Sequence, residues 1–372
     1  MPTPEDIARL TSLVLLATFA LSALLGAIVH RTNFCTMGAI SDALNMGHWD
    51  RMRQWALAAG VAMIGFGALA AWGAIRAQDA VYASPRWMWL SAMVGGLLFG
   101  FGMVLASGCG SKLLVRMGAG SLKAFVAFLA MAISSYATLR GITAVWRDST
   151  VDRVFAEFDG SANVGNLLGT GLGWSPPMAL LICGAVLGLA LIGWALYRRD
   201  FWQGRNLLAG FGVGSIIVAM WWVSGHLGYV AEHPATLEPA YLASRTGRME
   251  ALTFTSPMAY TIDWLMFFSD ANQRLSIAVV SVFGVLVGAA AHAFFTRRFR
   301  WDGFKTTEDL ANHLIGGTLM GIGGVTALGC TIGQGLSGIS TLSLTSFTAV
   351  ASIIAGAVLA LKYQYWRLSR DV

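Results

Sequence analysis

Gly95-Gly96-Leu97-Leu98-Phe99-Gly100-Phe101-Gly102-Met103-Val104-Leu105-Ala106-Ser107-Gly108-Cys109 recurs later in the chain. The second copy is Gly316-Gly317-Thr318-Leu319-Met320-Gly321-Ile322-Gly323-Gly324-Val325-Thr326-Ala327-Leu328-Gly329-Cys330. Nine of the fifteen positions are identical: five glycines, Leu98/Leu319, Val104/Val325, Ala106/Ala327 and the two cysteines. A duplicated apolar segment ending in cysteine points to a protein built of two related halves. Each half then presents one thiol at an equivalent place.

The rest of the chain sets the medium in which those halves fold. Charged residues make up 12% of 372 and the apolar set 56%; ordinary soluble domains carry about 25% charge. With 44 glycines and 14 tryptophans, this is the profile of a polytopic membrane protein. The net charge of +6 then reads as basic loops. No basic run with interleaved aromatics suggests nucleic acid. Four cysteines without a C-x-x-C spacing argue against a zinc site and a disulfide framework. We expect no metal and no cofactor.

A span needs roughly 17–25 mostly apolar residues. Nine runs qualify: Leu13–His30, Trp55–Ile75, Trp87–Ala106, Leu122–Val145, Met178–Leu196, Leu207–Val223, Leu275–Phe295, Leu310–Leu328 and Leu344–Leu361. Glu5, Asp6 and Arg9 precede the first. That is no basic leader, so the run reads as a real span. Three shorter pieces, Phe34–Trp49, Gly108–Gly120 and Gly329–Leu342, start at or beside Cys35, Cys109 and Cys330. They read as re-entrant or broken helices, since irregular backbone survives at membrane depth only inside protein or along a cavity.

Alternate sides of these spans hold sixteen and nine Lys and Arg residues. The richer side is expected to be cytoplasmic, with the N-terminus outside and the C-terminus inside. The long loops Trp146–Pro177 and Ser224–Arg274 then lie outside. The motif copies sit five crossings apart and run in opposite directions, the pattern of inverted repeats. The expected fold is therefore all-α and polytopic, with about nine transmembrane helices, short re-entrant helices and two inverted pseudo-repeats. Residues 13–145 form the first half, 146–206 an outer loop and connecting span, and 207–361 the second half.

Glycines spaced four apart, Gly96/Gly100, Gly317/Gly321, Gly210/Gly214 and Gly284/Gly288, read first as close helix packing. Gly100, Gly102 and Gly108 also fit a second reading, in which a substrate passes near the backbone. Cys183, inside an apolar span, reads as packing. Cys35 stands beside Arg31 in Arg31-Thr32-Asn33-Phe34-Cys35-Thr36-Met37-Gly38, and cations activate thiols. Arg31 and Lys112 are candidates for attracting an anion. Arg116 reads as a topology charge and Arg140 as snorkelling to the interface. Asp42 is placed to cap or pair. His292 and His313 have no ligand-spaced partner.

These motifs resemble the YeeE/YedE family of membrane proteins, whose characterised members transport thiosulfate. The matching pieces are Arg31 to Asp42, the Gly108-Cys109 segment on to Ala124, and Gly329-Cys330-Thr331-Ile332-Gly333-Gln334-Gly335-Leu336-Ser337-Gly338. The resemblance implies an hourglass of inverted halves whose short helices meet at a narrow centre. It implies functional roles for Cys35, Cys109 and Cys330, with Arg31, Gly108, Lys112, Gly329 and Gln334 in support. It also implies a bacterial inner membrane, a small sulfur-containing anion as cargo and a small cytoplasmic sulfurtransferase as partner. The chain departs from the family where Gly110-Ser111-Lys112 follows Cys109, and in its longer outer loops. Competing readings are a membrane sulfurtransferase that takes up sulfane sulfur by thiolate attack, and a carrier of a selenium compound or another sulfur oxyanion.

Overall fold

Helix α4 (Trp89–Leu105) carries the first motif copy and α14 (Thr307–Thr326) the second. They cross antiparallel, glycine on glycine. A Cβ added at Gly95 would lie 2.6 Å from the Gly323 carbonyl oxygen, and one at Gly323 would lie 2.6 Å from that of Gly95. Gly102 and Gly316 repeat both contacts at 2.6 Å. The motif aligns Gly95 with Gly316 and Gly102 with Gly323, so exchanging the copies exchanges the two contacts. The backbones approach as closely as small residues allow in lipid.

A computed structural model describes residues 3–234, 236–270 and 273–369. The remaining helices follow in order. They are α1 (Pro4–Thr32), α2 (Thr36–Ser41), α3 (Asp50–Ala71), α5 (Gly110–Gly118), α6 (Leu122–Arg140), α7 (Ile142–Ser149), α8 (Val164–Leu172) and α9 (Pro176–Leu196). Then come α10 (Gly204–Leu207), α11 (Val213–Trp222), α12 (Ser256–Met266), α13 (Ile277–Phe295) and α15 (Leu344–Leu368). A π-helical turn at Leu208–Gly212 joins α10 to α11 and a second, Val223–Leu227, extends α11, giving one continuous helix, Gly204–Leu227. Strand is confined to two short antiparallel pairs among the described residues, Arg86–Trp87 with Ala156–Glu157 and Tyr229–Val230 with Ala240–Tyr241.

Among the described residues, eight helices are long and apolar enough to cross a membrane. The expected eighth run, Leu310–Leu328, is not one of them. Its helix, α14, has 20 residues, enough for a bilayer, but they include Glu308, Asp309, Asn312, His313 and several glycines and threonines. One face of α14 packs along both α4 and α6, while Leu314 and Ile315 stay exposed. Several expected boundaries also move outward. Helix α1 starts at Pro4, capped by Thr3 and Asp6, and α3 starts at Asp50. The loop Trp146–Pro177 holds the last turn of α7 and all of α8. The loop Ser224–Arg274 contains α12; its residues Ala235, Ala271 and Asn272 lie outside the described set.

The face on which α1 starts is called upper here, and the opposite one lower. Glycine packing continues around the pair. Gly96 and Gly100 rest on α15 at Ser352 and Ile353, while Gly317 and Gly321 rest on α6 at Ala127 and Ser134. Helices α1 and α13 run parallel through Ser22–Gly284 and Ala23–Gly288. Helices α3 and α11 run parallel through Leu57–Gly210 and Val61–Gly214. All four spaced glycine pairs are packing sites. Gly100 and Gly102 are also taken up by helix contacts, at Ile353 and Gly316, so these two do not border a passage. Helix α9 packs antiparallel on α3, with Gly188 on Gly60.

Candidate functional site

Each of the three cysteines follows the same local device. The residue two before it is left-handed: Asn33 (φ 57°), Ser107 (φ 56°) and Leu328 (φ 60°). At α4 the stop is closed by Gly108 N–H to Met103 C=O at 2.8 Å. At α14 it is closed by Gly329 N–H to Gly324 C=O at 2.7 Å. These are Schellman closures. One residue later the chain is extended, and the cysteine caps a new short helix. The carbonyls of Cys35, Cys109 and Cys330 accept from Ala39, Leu113 and Gln334 N–H at 2.9, 2.9 and 2.7 Å. The expected re-entrant pieces are thus α2 with a π-turn at Asp42–Met46, α5, and a short helix after Cys330 whose central turn, Gly333–Gly338, is π-helical.

The three short helices converge at their N-terminal ends. Cys35, Cys109 and Cys330 are all buried and free. The Cys109 thiol faces Cys35, lies 3.4 Å from Ser111 Oγ and also faces Thr331. Thr331 adjoins Cys330, is 2% exposed, and its Oγ1 has no hydrogen-bond partner within the protein. A buried hydroxyl without a partner costs on the order of 1–3 kcal/mol, so a donor is held ready at the meeting point. Cys330 Sγ accepts from Phe254 N–H and Gly333 N–H, each at 3.3 Å, and lies 3.8 Å from Thr253 Oγ1. Trp55 stabilises the convergence: its indole donates to Thr36 Oγ1 at 3.1 Å and its ring packs against Gly335.

The two approaches differ in charge and chemistry. On the lower side, Lys112 Nζ donates to Asn33 Oδ1 at 3.3 Å and Arg116 donates to the Ser107 carbonyl at 3.2 Å. Arg116 therefore latches a helix stop beyond any topological role. Asp42 pairs with Arg51 at 3.2 Å, and the Arg51 guanidinium lies over Gly38. Arg31 is exposed at the end of α1. On the upper side, a cavity of about 210 Å³ includes Tyr82, Arg86, Arg147, Leu328, Ser343 and Thr345 in its wall. Its arginines are paired with Glu157 and Asp152. Burial raises the Tyr82 phenol far above its ordinary pKa, so it remains a neutral donor.

The other expected residues fall as follows. Gly108 and Gly329 form the helix stops. Gln334 is a tie: its amide donates to Ala327 C=O at 2.6 Å and its oxygen accepts from Ser346. Cys183 packs with Met63, Leu180, Ile339 and Leu342. His313 is bound to Asp309 at 3.1 Å. His292, without a partner in sequence, meets His30 at 2.7 Å between Nδ1 atoms. Among the described residues no group of three or more His, Cys, Asp or Glu could hold a metal. Sequence reading missed Arg51, Tyr82, Thr253 and Thr331. Thr331 alone carried a local signal, since it directly follows Cys330.

Broken helices that bring buried thiols and helix N-termini to one point inside a bundle define a multi-pass membrane protein of the transporter class. The chain belongs to the sulphur transport (YeeE/YedE) family, whose family pattern matches residues 31–359. It is 27% identical over 361 residues to the thiosulfate transporter TsuA of Escherichia coli strain K12, covering 96% of each chain. It is 29% identical over 272 residues to the thiosulfate transporter TsuA of Spirochaeta thermophila, covering 71% of this chain and 74% of that one.

Proposed function

We propose that the protein carries thiosulfate, or a closely related sulfur-containing anion, across the bacterial inner membrane, along a path lined by Cys35, Cys109 and Cys330. The observation that carries this reading is the convergence of three helix-start cysteines on one buried point beside the unpartnered Thr331 hydroxyl. A desolvated anion needs replacement donors. Helix N-termini supply amide N–H groups and a favourable dipole. Thiols are weak donors suited to brief contact with a soft sulfur atom, and conduction requires sites weak enough to release.

In this reading no bond is made or broken, and the protein is not an enzyme. The two halves span residues 13–145 and 207–361, related by an axis through the α4–α14 crossing. The N-terminus lies outside and the C-terminus inside. Arg31 and Lys112 draw the anion on the cytoplasmic side, where a small sulfurtransferase receives it. The test is uptake into liposomes with the two sulfurs of thiosulfate labelled separately. Both labels entering together at the ratio supplied supports transport. The outer sulfur alone appearing on protein supports the sulfurtransferase reading.

A further inference from the structure

A groove of about 370 Å³ lies at the lower end of α5, away from the thiols. Its wall includes Met117, Gly120, Leu122, Phe125, Phe299 and Trp301. Met117 belongs to the last turn of α5, the short helix that Cys109 opens. Helix α5 packs on both α13 and α6, with Gly118 against the Leu286 carbonyl. Each of these neighbours turns an apolar stripe outward: Leu122, Phe125 and Ile133 on α6, and Val287 and Phe294 on α13, are exposed. Both helices are long and apolar enough to cross a membrane, and an exposed apolar stripe on such a helix meets lipid hydrocarbon. The groove is therefore continuous with the lipid-facing surface.

The loop after α13, residues 296–306, bounds the groove at the lower face. Phe299 stacks on Phe294 with centroids 4.4 Å apart and meets Trp301 edge to face at 5.5 Å. The loop backbone is tied to the turn after α5. Arg300 N–H donates to Ala119 C=O at 3.1 Å, Asp302 N–H to Gly120 C=O at 3.3 Å, and Leu122 N–H to Asp302 C=O at 2.9 Å. Gly120 has φ 99°, and a Cβ there would lie 2.7 Å from the Arg300 carbonyl oxygen. Glycine leaves this corner without a side chain. The same loop carries Arg297, Arg298, Arg300 and Lys305 against one acid, Asp302. Asp302 balances Arg116, and Arg298 lies near His30 and His292. Arg297 and Arg300 are exposed and form no ion pair among the described residues. Arg300 stands between the two aromatic wall residues.

We propose that this groove binds an anionic phospholipid of the lower leaflet. One acyl chain runs between the outward stripes of α6 and α13 and ends against Met117. The phosphate sits on Arg297 and Arg300. Charge complementarity selects the headgroup, since basic pockets beside membrane helices hold anionic lipids. Trp301 marks the headgroup level, where indole rings collect. The bound chain braces α5 from the lipid side, at the opposite end from Cys109. Binding here is independent of the cargo.

The test uses the full-length protein in detergent, with binding of phosphatidylglycerol and of phosphatidylcholine of equal chain length measured by native mass spectrometry. The variants are Arg297→Gln with Arg300→Gln, Arg297→Lys with Arg300→Lys, and, as a control elsewhere on the lower face, Arg198→Gln with Arg199→Gln. The wild type should prefer phosphatidylglycerol at least tenfold. The glutamine pair at 297 and 300 should remove about a factor of ten from that affinity and leave phosphatidylcholine unchanged, because each basic group near the headgroups attracts the anionic lipid. The lysine pair should keep most of it, since the charge is retained. The control pair should stay within about twofold of wild type. Phosphatidylglycerol should raise the melting temperature of the wild type by several degrees, as a ligand of the folded state does, and should not raise that of the glutamine pair. Equal affinity for the two lipids, or equal loss in the control pair, would overturn the groove as a specific site. Competition by glycerol phosphate, the headgroup without chains, would also overturn it and leave a simple phosphate site on the loop.

Discussion

The ends of α4 and α14 are built alike and furnished differently. Both stop at a left-handed residue, close with a glycine N–H and restart at a buried cysteine. Around Cys109 the neighbours are a second thiol, Ser111 and, further out, Lys112 and Arg116. Around Cys330 they are Thr253, two amides and the neutral Tyr82 phenol. Duplication explains the shared scaffold.

The largest effect that can break this comparison lies at the thiols. Cys109→Ala and Cys330→Ala should each reduce uptake at least a hundredfold while membrane insertion persists, and Cys35→Ala should do the same. Cys183→Ala, set in an apolar cluster, should keep uptake within about twofold, as surface-like core trimming of a small side chain does. If Cys183→Ala matches Cys109→Ala, convergence at helix starts has no bearing on transport.

A second comparison concerns the scaffold. Gly95 and Gly323 each face the other's backbone at 2.6 Å from a would-be Cβ. Gly95→Leu and Gly323→Leu should both sharply reduce folded yield in detergent, because overpacking of this kind costs roughly 1–3 kcal/mol or more. The pseudo-symmetry makes the stronger claim that the two losses are similar. A large loss in one and none in the other would show that the two glycines of the crossing are not equivalent.

Lys112 sharpens the contrast between the approaches. It lies at the lower mouth, on Asn33. Lys112→Gln should lower uptake several-fold at low ionic strength and less at 0.5 M salt, since exposed charge is screened within about 10 Å at ordinary salt. Salt-independent loss would mean that Lys112 acts by contact alone.

The sequence exposed the duplication and the two cysteines it carries because those features are local. The apolar runs marked nine spans, of which eight are helices long and apolar enough to cross a membrane among the described residues. The ninth, α14, falls short in composition because its first turns carry Glu308, Asp309, Asn312 and His313. The opposite directions of α4 and α14 were legible from the parity of the crossings; their direct glycine-on-glycine packing was not. Nor were Thr253 and Tyr82. They reach Cys330 across 77 and 248 intervening steps of chain, and neither stands in a run that signals chemistry. The His30–His292 contact is hidden in the same way, by a separation of 262 residues.

The smallest predicted effect tests whether the helix stops are equivalent. Ser107 and Leu328 occupy the same motif position and the same left-handed basin, at φ 56° and 60°. That conformation costs a non-glycine residue about 1 kcal/mol or more, and a β-branched side chain fits it worst. Neither side chain is needed for packing, since both residues are exposed. Ser107→Val and Leu328→Val should therefore each lower thermal stability in detergent by a degree or a few. Ser107→Gly and Leu328→Gly should leave it nearly unchanged, because relief of strain offsets the greater freedom glycine gains in the unfolded chain. Arg116 donates to the Ser107 carbonyl, and among the described residues no such latch is seen on Leu328. The valine variant at 107 should consequently be the milder of the two. Equal stability of all four variants and wild type would show that the stops bear no strain and that their shared geometry is set by the surrounding helices.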